Sequence, residues 1–246
     1  MKIILVTGAS RGIGAATALL AGKKGYHVIV NYLNSKTEAN QLVSKISACG
    51  GTATAIQANV TSETEILDLF SQIDKIGHLT DLVNNAGILE PQMKLSGMTG
   101  GRLDRIFKAN VIGPFLCTRE AIKRMSTRLG GTGGSIVNVS SQAAITGAPG
   151  EYIDYAASKG ALDSFTRGLA REVASEGIRV NGVRPAYIHT DIHAAGGEPE
   201  RIKRLSSRIP LKRGGKPEEV AEAILWLLSD RSSYSTGTFI EITGGM

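Results

Sequence analysis

The chain is poor in cysteine, with Cys49 and Cys117 alone in 246 residues. They stand in separate apolar segments and form no Cys-x-x-Cys pair, so neither a disulfide framework nor a zinc site is encoded. Such usage fits a reducing cytoplasm. Aromatics are scarce at 5% and prolines number seven. This is no Pro-rich or low-complexity chain, and with no nucleic-acid-binding motif present a polynucleotide partner is not expected. Nowhere do eighteen apolar residues run together, and Ile3 to Val6 is too short for a signal-peptide core, so no membrane span or export signal is read. No stretch repeats at a fixed period, which excludes solenoids and propellers.

What is present is 42% apolar residues, thirty glycines and a net charge of +6. The length suffices for one sizeable core and is short for two, so residues 1–246 are read as a single domain. The charge is concentrated. Residues 1 to 37 carry five basic residues and no acid, residues 201 to 216 carry seven and no acid, and the remainder is net acidic.

Short apolar runs recur at Ile3 to Val6, His27 to Val30, Ala53 to Ala58, Leu82 to Asn84, Ser135 to Val139, Arg179 to Val183 and Phe239 to Ile242. Each is predicted to be a strand. Amphipathic stretches such as Ala15 to Lys24 and Glu63 to Ile76 separate them, which indicates a buried parallel sheet of about seven strands with helices on both faces: a doubly wound, Rossmann-type α/β fold. Longer helices are expected at Leu103 to Arg128, bent at Gly113-Pro114, and at Tyr152 to Ser175. Residues 191 to 216, Gly- and Pro-punctuated after a strand, are read as a lid over the substrate crevice.

The first strand runs into Thr7-Gly8-Ala9-Ser10-Arg11-Gly12-Ile13-Gly14 and then a helix-forming stretch. Gly8 permits a sharp turn, Gly12 a close approach of backbone N–H groups to a pyrophosphate, and Gly14 close packing of helix on strand. Ser10, Arg11 and Ile13 stand among these glycines. A dinucleotide site that prefers NAD places an acid about 20 residues further on, but here the second strand ends in Asn31-Tyr32 and the first acid is Glu38. Arg11, Asn31, Ser35 and Lys36 are donors suited to a 2′-phosphate, and NADP(H) is the expected cofactor.

Tyr155-Ala-Ala-Ser-Lys159 places a phenol and an ammonium on one helix face, where the cation favours phenolate and draws Tyr155 toward working pH. By itself the pattern is common. Together with the glycine turn, Asn84-Asn85-Ala86-Gly87, Asn110 and Ser140-Ser141, in that order, the chain resembles the short-chain dehydrogenase/reductase family over essentially its whole length.

That resemblance implies a nicotinamide cofactor and four catalytic residues. Tyr155 would be the general acid/base. Lys159 would bind the nicotinamide ribose and lower the tyrosine pKa, Ser141 would hold the substrate oxygen, and Asn110 would hold a water that links Lys159 to solvent. Ser140 competes with Ser141 for its role. Asn84, Ala86 and Gly87 would wall the adenine and ribose side, Asn59 and Val60 would contact adenine, and Pro185, Ile188 and Thr190 would contact the carboxamide end. Two departures stand out: Asn59 replaces the family's usual aspartate, and Ala186 replaces the glycine after Pro185.

The expected reaction is hydride transfer between NADP(H) and a carbonyl or secondary alcohol, with sugar or polyol oxidation and turnover-free cofactor sensing as the rivals. The basic run Arg201 to Lys216 is either a solvated helix face or a grip on an anionic substrate such as an acyl thioester. His189 and His193, four apart, have no third ligand at matching spacing and are read as lid residues with no metal role. The family resemblance and the two long helices imply a homotetramer.

Overall fold

The computed structural model describes residues 1–246. Seven strands form one wholly parallel sheet: β1 (Ile3–Val6), β2 (His27–Tyr32), β3 (Thr52–Gln57), β4 (Leu79–Asn84), β5 (Gly134–Val139), β6 (Ile178–Pro185) and β7 (Phe239–Ile242), in the order β3-β2-β1-β4-β5-β6-β7. The early helices are α1 (Gly12–Lys23), α2 (Lys36–Ala48), α3 (Glu63–Ile76), α4 (Gly100–Phe107) and α5 (Gly113–Met125). They are followed by α6 (Ala143–Thr146), α7 (Ile153–Val173), α8 (Ile192–Ala195), α9 (Arg201–Leu205) and α10 (Pro217–Leu228). This is the Rossmann-type architecture the patterning predicts.

The uninterrupted apolar strands follow from burial on both faces. In β1, Ile4 and Val6 point into the core beneath α1, α2 and α10, while Ile3 and Leu5 point into the opposite core beneath α3, α5 and α7. A strand with one solvated face would alternate in polarity; this one has no solvated face. Small residues on α1 (Gly14, Thr17, Ala18, Ala21 and Gly22) let it sit close to its neighbours. A Cβ on Gly22 would come within 2.5 Å of Ile46 Cγ2.

The expected helix over Leu103 to Arg128 is one helical path in three parts. It starts at Gly100 and ends at Met125, and a π-helical turn over Lys108–Ile112 separates α4 from α5. Pro114 lies in the first turn of α5, where its missing N–H is tolerated. The wide turn directs Asn110 inward to complete burial. The strand order reverses between β1 and β4, and the crevice opens beyond the carboxyl ends of these strands, as such a switch point requires.

Candidate active site

At one end of the crevice, Gly8 and Gly12 adopt left-handed backbone (φ +60° and +57°) between β1 and α1. A Cβ on Gly8 would lie 2.9 Å from Ala86 Cα, and one on Gly12 would lie 3.2 Å from Thr190 Cγ2. Arg11 caps α1 without using its side chain, and the first turn contains no acid. The positive pole of the helix therefore faces the crevice without a side-chain oxygen to satisfy it, which suits a pyrophosphate.

The turn is held from behind by asparagines. Asn31 Oδ1 accepts from Gly8 N (3.2 Å), and Asn31 Nδ2 donates to Ala58 O (3.0 Å) and Ile56 O (3.4 Å). Its amide is thus engaged with backbone and is no free donor for a 2′-phosphate, contrary to the sequence expectation. Asn85 Nδ2 donates to Thr7 O (2.9 Å) and Gly8 O (3.0 Å), and the Thr7 hydroxyl accepts from Asn85 N and Ala86 N (both 3.0 Å). Asn84 is a second correction. It closes the buried end of β4, with Nδ2 donating to Asn138 Oδ1 (2.8 Å) and Thr118 Oγ1 (2.9 Å), and does not line the crevice. Asn85, Ala86 and Gly87 line it instead. A β-strand turns successive side chains to opposite sides, so two adjacent asparagines cannot both face the ligand.

The crevice has a volume of about 480 Å³. Around the glycine turn it is lined by Ser10, Arg11, Gly12, Ile13, Tyr32 and Ser35, with Asn59 and Val60 also on its lining. Gly14 packs behind, where a Cβ would meet Asn85 Nδ2 at 2.5 Å. Lys36 is exposed and off the lining. The side-chain Oδ1 of Asn59 accepts from Thr61 N and Thr61 Oγ1, both at 2.9 Å, which fixes the turn into α3.

At the other end Ser141, Tyr155 and Lys159 line one wall, with Pro185, Ile188 and Thr190 across from them. Lys159 Nζ donates to Val139 O (2.7 Å) and sits 5.6 Å from the Tyr155 ring centre. Desolvation pushes the Lys159 pKa down to about 8, against the opposing pull of Asp163. Desolvation also pushes the Tyr155 phenol up to about 12, and the Ser141 hydroxyl opposes that rise. The group that opposes the rise is the Ser141 hydroxyl, with the Lys159 ammonium standing off the ring.

The two serines separate cleanly. Ser140 Oγ donates to Lys159 O (3.4 Å), whereas Ser141 Oγ accepts from Ala143 N (3.1 Å) and keeps its own proton available beside Tyr155. Asn110 accepts from Ile88 N (2.8 Å) and donates to Ile88 O (3.0 Å) and Ser158 Oγ (3.1 Å). Ser158 Oγ donates in turn to Tyr155 O (2.7 Å). Ser158 is a positioning residue that the sequence does not single out, since it occupies a variable place inside the Tyr-x-x-x-Lys spacing.

The second basic segment stands away from the crevice. No residue from Arg201 to Lys216 lines the crevice, whose only cations are Arg11 and Lys159 and whose only acid is Asp191. Arg201, Arg204 and Arg213 pair with Glu151, Glu198 and Glu219, and Lys203 pairs with Glu200. The grip on an anionic substrate is thus not built here; acids from outside the segment neutralise most of its charge. His193 lines the crevice, with Nε2 on Ile188 O (3.0 Å), and its burial depresses its basicity. His189 is exposed.

A family model described as enoyl-(acyl carrier protein) reductase matches residues 8–246. The uncharacterized oxidoreductase YgfF of Escherichia coli (strain K12) is 54% identical over 246 residues, covering 100% of both chains. A 3-oxoacyl-[acyl-carrier-protein] reductase of Synechocystis is 41% identical over 247 residues, covering 100% of this chain and 96% of that one. Among solved structures, a dehydrogenase/reductase from Sinorhizobium meliloti 1021 superposes with a TM-score of 0.91 at 32% identity, covering 99% of this chain and 94% of its own.

Proposed function

The chain belongs to the short-chain dehydrogenase/reductase family and is an oxidoreductase; from that premise we propose that it transfers hydride between NADP(H) and a carbonyl or secondary alcohol. The observation that carries this reading is the single crevice joining an uncapped helix N-terminus at Arg11 to Ser141, Tyr155 and Lys159. Gly8, Gly12, Ile13, Ala86 and Gly87 would hold the dinucleotide, with Asn59 and Val60 at the adenine and Pro185, Ile188 and Thr190 at the nicotinamide. The bound nicotinamide supplies the hydride. Arg11 and Ser35 at an end without any carboxylate support a 2′-phosphate, hence NADP(H) over NAD(H).

The protein's part is proton transfer and placement. Tyr155, whose half-buried phenol desolvation keeps protonated, donates to the carbonyl oxygen, and Ser141 steadies the developing charge with its hydroxyl. Lys159 is aimed by Val139 O, and the Asn110–Ser158 link holds the first turn of α7 in register. Of the lid expected over residues 191–216, residues 191–195 would face the crevice, with residues 201–216 packed behind them. The substrate half is lined by Ile88, Leu89, Ile192 and Ala195 with His193, which supports a substrate that is apolar and uncharged around its carbonyl.

Phe107, Ile112 and Phe115, 37–47% exposed on the outer side of the α4–α5 path, support assembly into a homotetramer. No helix is long and apolar enough to cross a membrane, and two free cysteines support a reducing, cytoplasmic setting. The test is an NADPH-oxidation screen over aldehydes, ketones, quinones, sugars and 3-oxoacyl thioesters, the last because the Synechocystis relative is named a 3-oxoacyl-[acyl-carrier-protein] reductase. NADPH oxidation well above that with NADH is the expected result; preference for NADH overturns the cofactor reading.

A further inference from the structure

We propose that Arg201 is a positioning residue that latches the cover of the crevice onto the start of the helix carrying Tyr155. It deepens the hydride-transfer reading, on which only its kinetic arm rests. Arg201 is 7% exposed, although it lies in the five-residue helix α9 at the surface of the fold. Its guanidinium donates to Glu198 Oε2 (2.6 Å) through Nη1 and to Glu151 Oε2 through Nη2. It also lies over the rings of Tyr152 (5.1 Å) and Tyr187 (5.6 Å).

These partners come from different walls. Glu151 and Tyr152 immediately precede α7, Tyr187 follows β6, and Glu198 belongs to the cover and also accepts from Gln92 Nε2 (2.7 Å) in the loop after β4. A second tie runs parallel: the Tyr152 hydroxyl donates to Gly196 O (3.0 Å). There is no room for a side chain at that joint, since a Cβ on Gly196 would lie 2.8 Å from Leu89 Cδ2 and 2.9 Å from Tyr152 Oη. Between Tyr187 and Arg201 lie Ile188, Thr190, Ile192 and His193, which reach into the crevice. Fixing both ends of that stretch fixes the part of the crevice wall that it supplies.

The chemistry requires arginine. A planar fork with separate N–H groups can satisfy two carboxylates at once while its faces rest on aromatic rings; an ammonium offers only a point charge. Removing it leaves Glu151 without its counter-charge and Glu198 with only the half-exposed Arg204, so loss of Arg201 should open the cover more than loss of Glu151, which leaves Glu198 still paired with Arg201.

The experiment compares Arg201→Gln, Arg201→Lys, Glu151→Gln, the double variant Glu151→Gln/Arg201→Gln, and Arg204→Gln, in the full-length protein. Two readouts are taken: KM and kcat for the best carbonyl substrate with NADPH, and amide hydrogen exchange over 188–198 with no ligand added. Arg201→Gln should raise substrate KM about tenfold with kcat held within about threefold, and should accelerate exchange about tenfold. Glu151→Gln should move both the same way by less, and the double variant should be no worse than Arg201→Gln. Arg204→Gln, which touches Glu198 from its exposed side, should stay within about twofold of the parent.

Unchanged exchange, additive effects in the double variant, or a fall in kcat at constant KM would overturn the latch. Should Arg201→Gln not fold, Arg201→Lys carries the test, with an intermediate effect expected and none overturning the proposal. A parent enzyme inactive with every nicotinamide cofactor defeats the hydride-transfer reading, while the exchange measurement still decides the latch.

Discussion

Two segments of this chain carry cations and no acid, and they are opposite in use. Residues 1 to 37 contribute Arg11, exposed at the crevice with no carboxylate against it, beside a helix start that has no acid of its own. Residues 201 to 216 contribute more cations, yet Arg201, Arg204 and Arg213 meet carboxylates within the fold and none lines the crevice. An unpaired cation at a cavity is available to a ligand; a paired and buried one has been committed to structure. Charge in a sequence thus identifies function only after its partners are known.

The comparison sharpens most at the point where the two ends meet. Tyr155→Phe removes the proposed proton donor and no charge from either segment, so kcat should fall about a thousandfold. NADPH binding, followed by fluorescence, should move less than about twofold; a variant that still turns over would break the division into binding ends and a reacting centre. Arg11→Glu acts on one end alone. Losing a charge-assisted contact and adding a repulsion should cost about 2–3 kcal/mol toward a 2′-phosphate, so kcat/KM for NADPH should drop about a hundredfold with that for NADH nearly unchanged. An equal drop for both cofactors would mean that Arg11 serves the turn and not the phosphate.

Lys159 yields a smaller effect, read from pH. With its pKa lowered by burial to about 8, it is charged below that pH and neutral above it. Where the ammonium is needed, kcat/KM should be flat below pH 8 and fall about tenfold per unit above it. Lys159→Met should flatten that limb, and a limb that survives the change belongs to another group.

Much of this was legible in residue order. The sheet is readable because β1 and β2 are apolar on both faces, and the glycine turn because Gly8 and Gly12 need a backbone that side chains disfavour. Tyr155 and Lys159 are readable because four residues return a helix to the same face. What escaped is what depends on tertiary direction. Asn84 and Asn85 differ only in strand parity, and one is buried while the other clamps the turn. Asn31 reads as a free donor until Ile56 and Ala58 are seen to occupy its amide. Tyr152 has no lysine at the helical spacing of Tyr155, yet it ties down the cover through Gly196. The depth of burial that raises the Tyr155 phenol likewise has no signature along the chain.

The smallest expected effect is also the most direct attack on the comparison. Lys203, Arg208 and Lys212 are exposed cations of the second basic segment, and Lys203 sits 3.7 Å from a similarly solvated Glu200. Exposed pairs contribute about 0–1 kcal/mol, and exposed charges beyond about 10 Å are screened at ordinary ionic strength. Reversing all three to glutamate should therefore change KM less than about threefold for an acyl-CoA thioester and for a small ketone alike. Because none of the three lines the crevice, any effect must act at long range and fade with added salt. A tenfold rise in KM confined to the acyl-CoA, persisting at high salt, would require direct contact with the anion. In that case the second basic segment would resemble the first, and pairing within the fold would no longer separate the two.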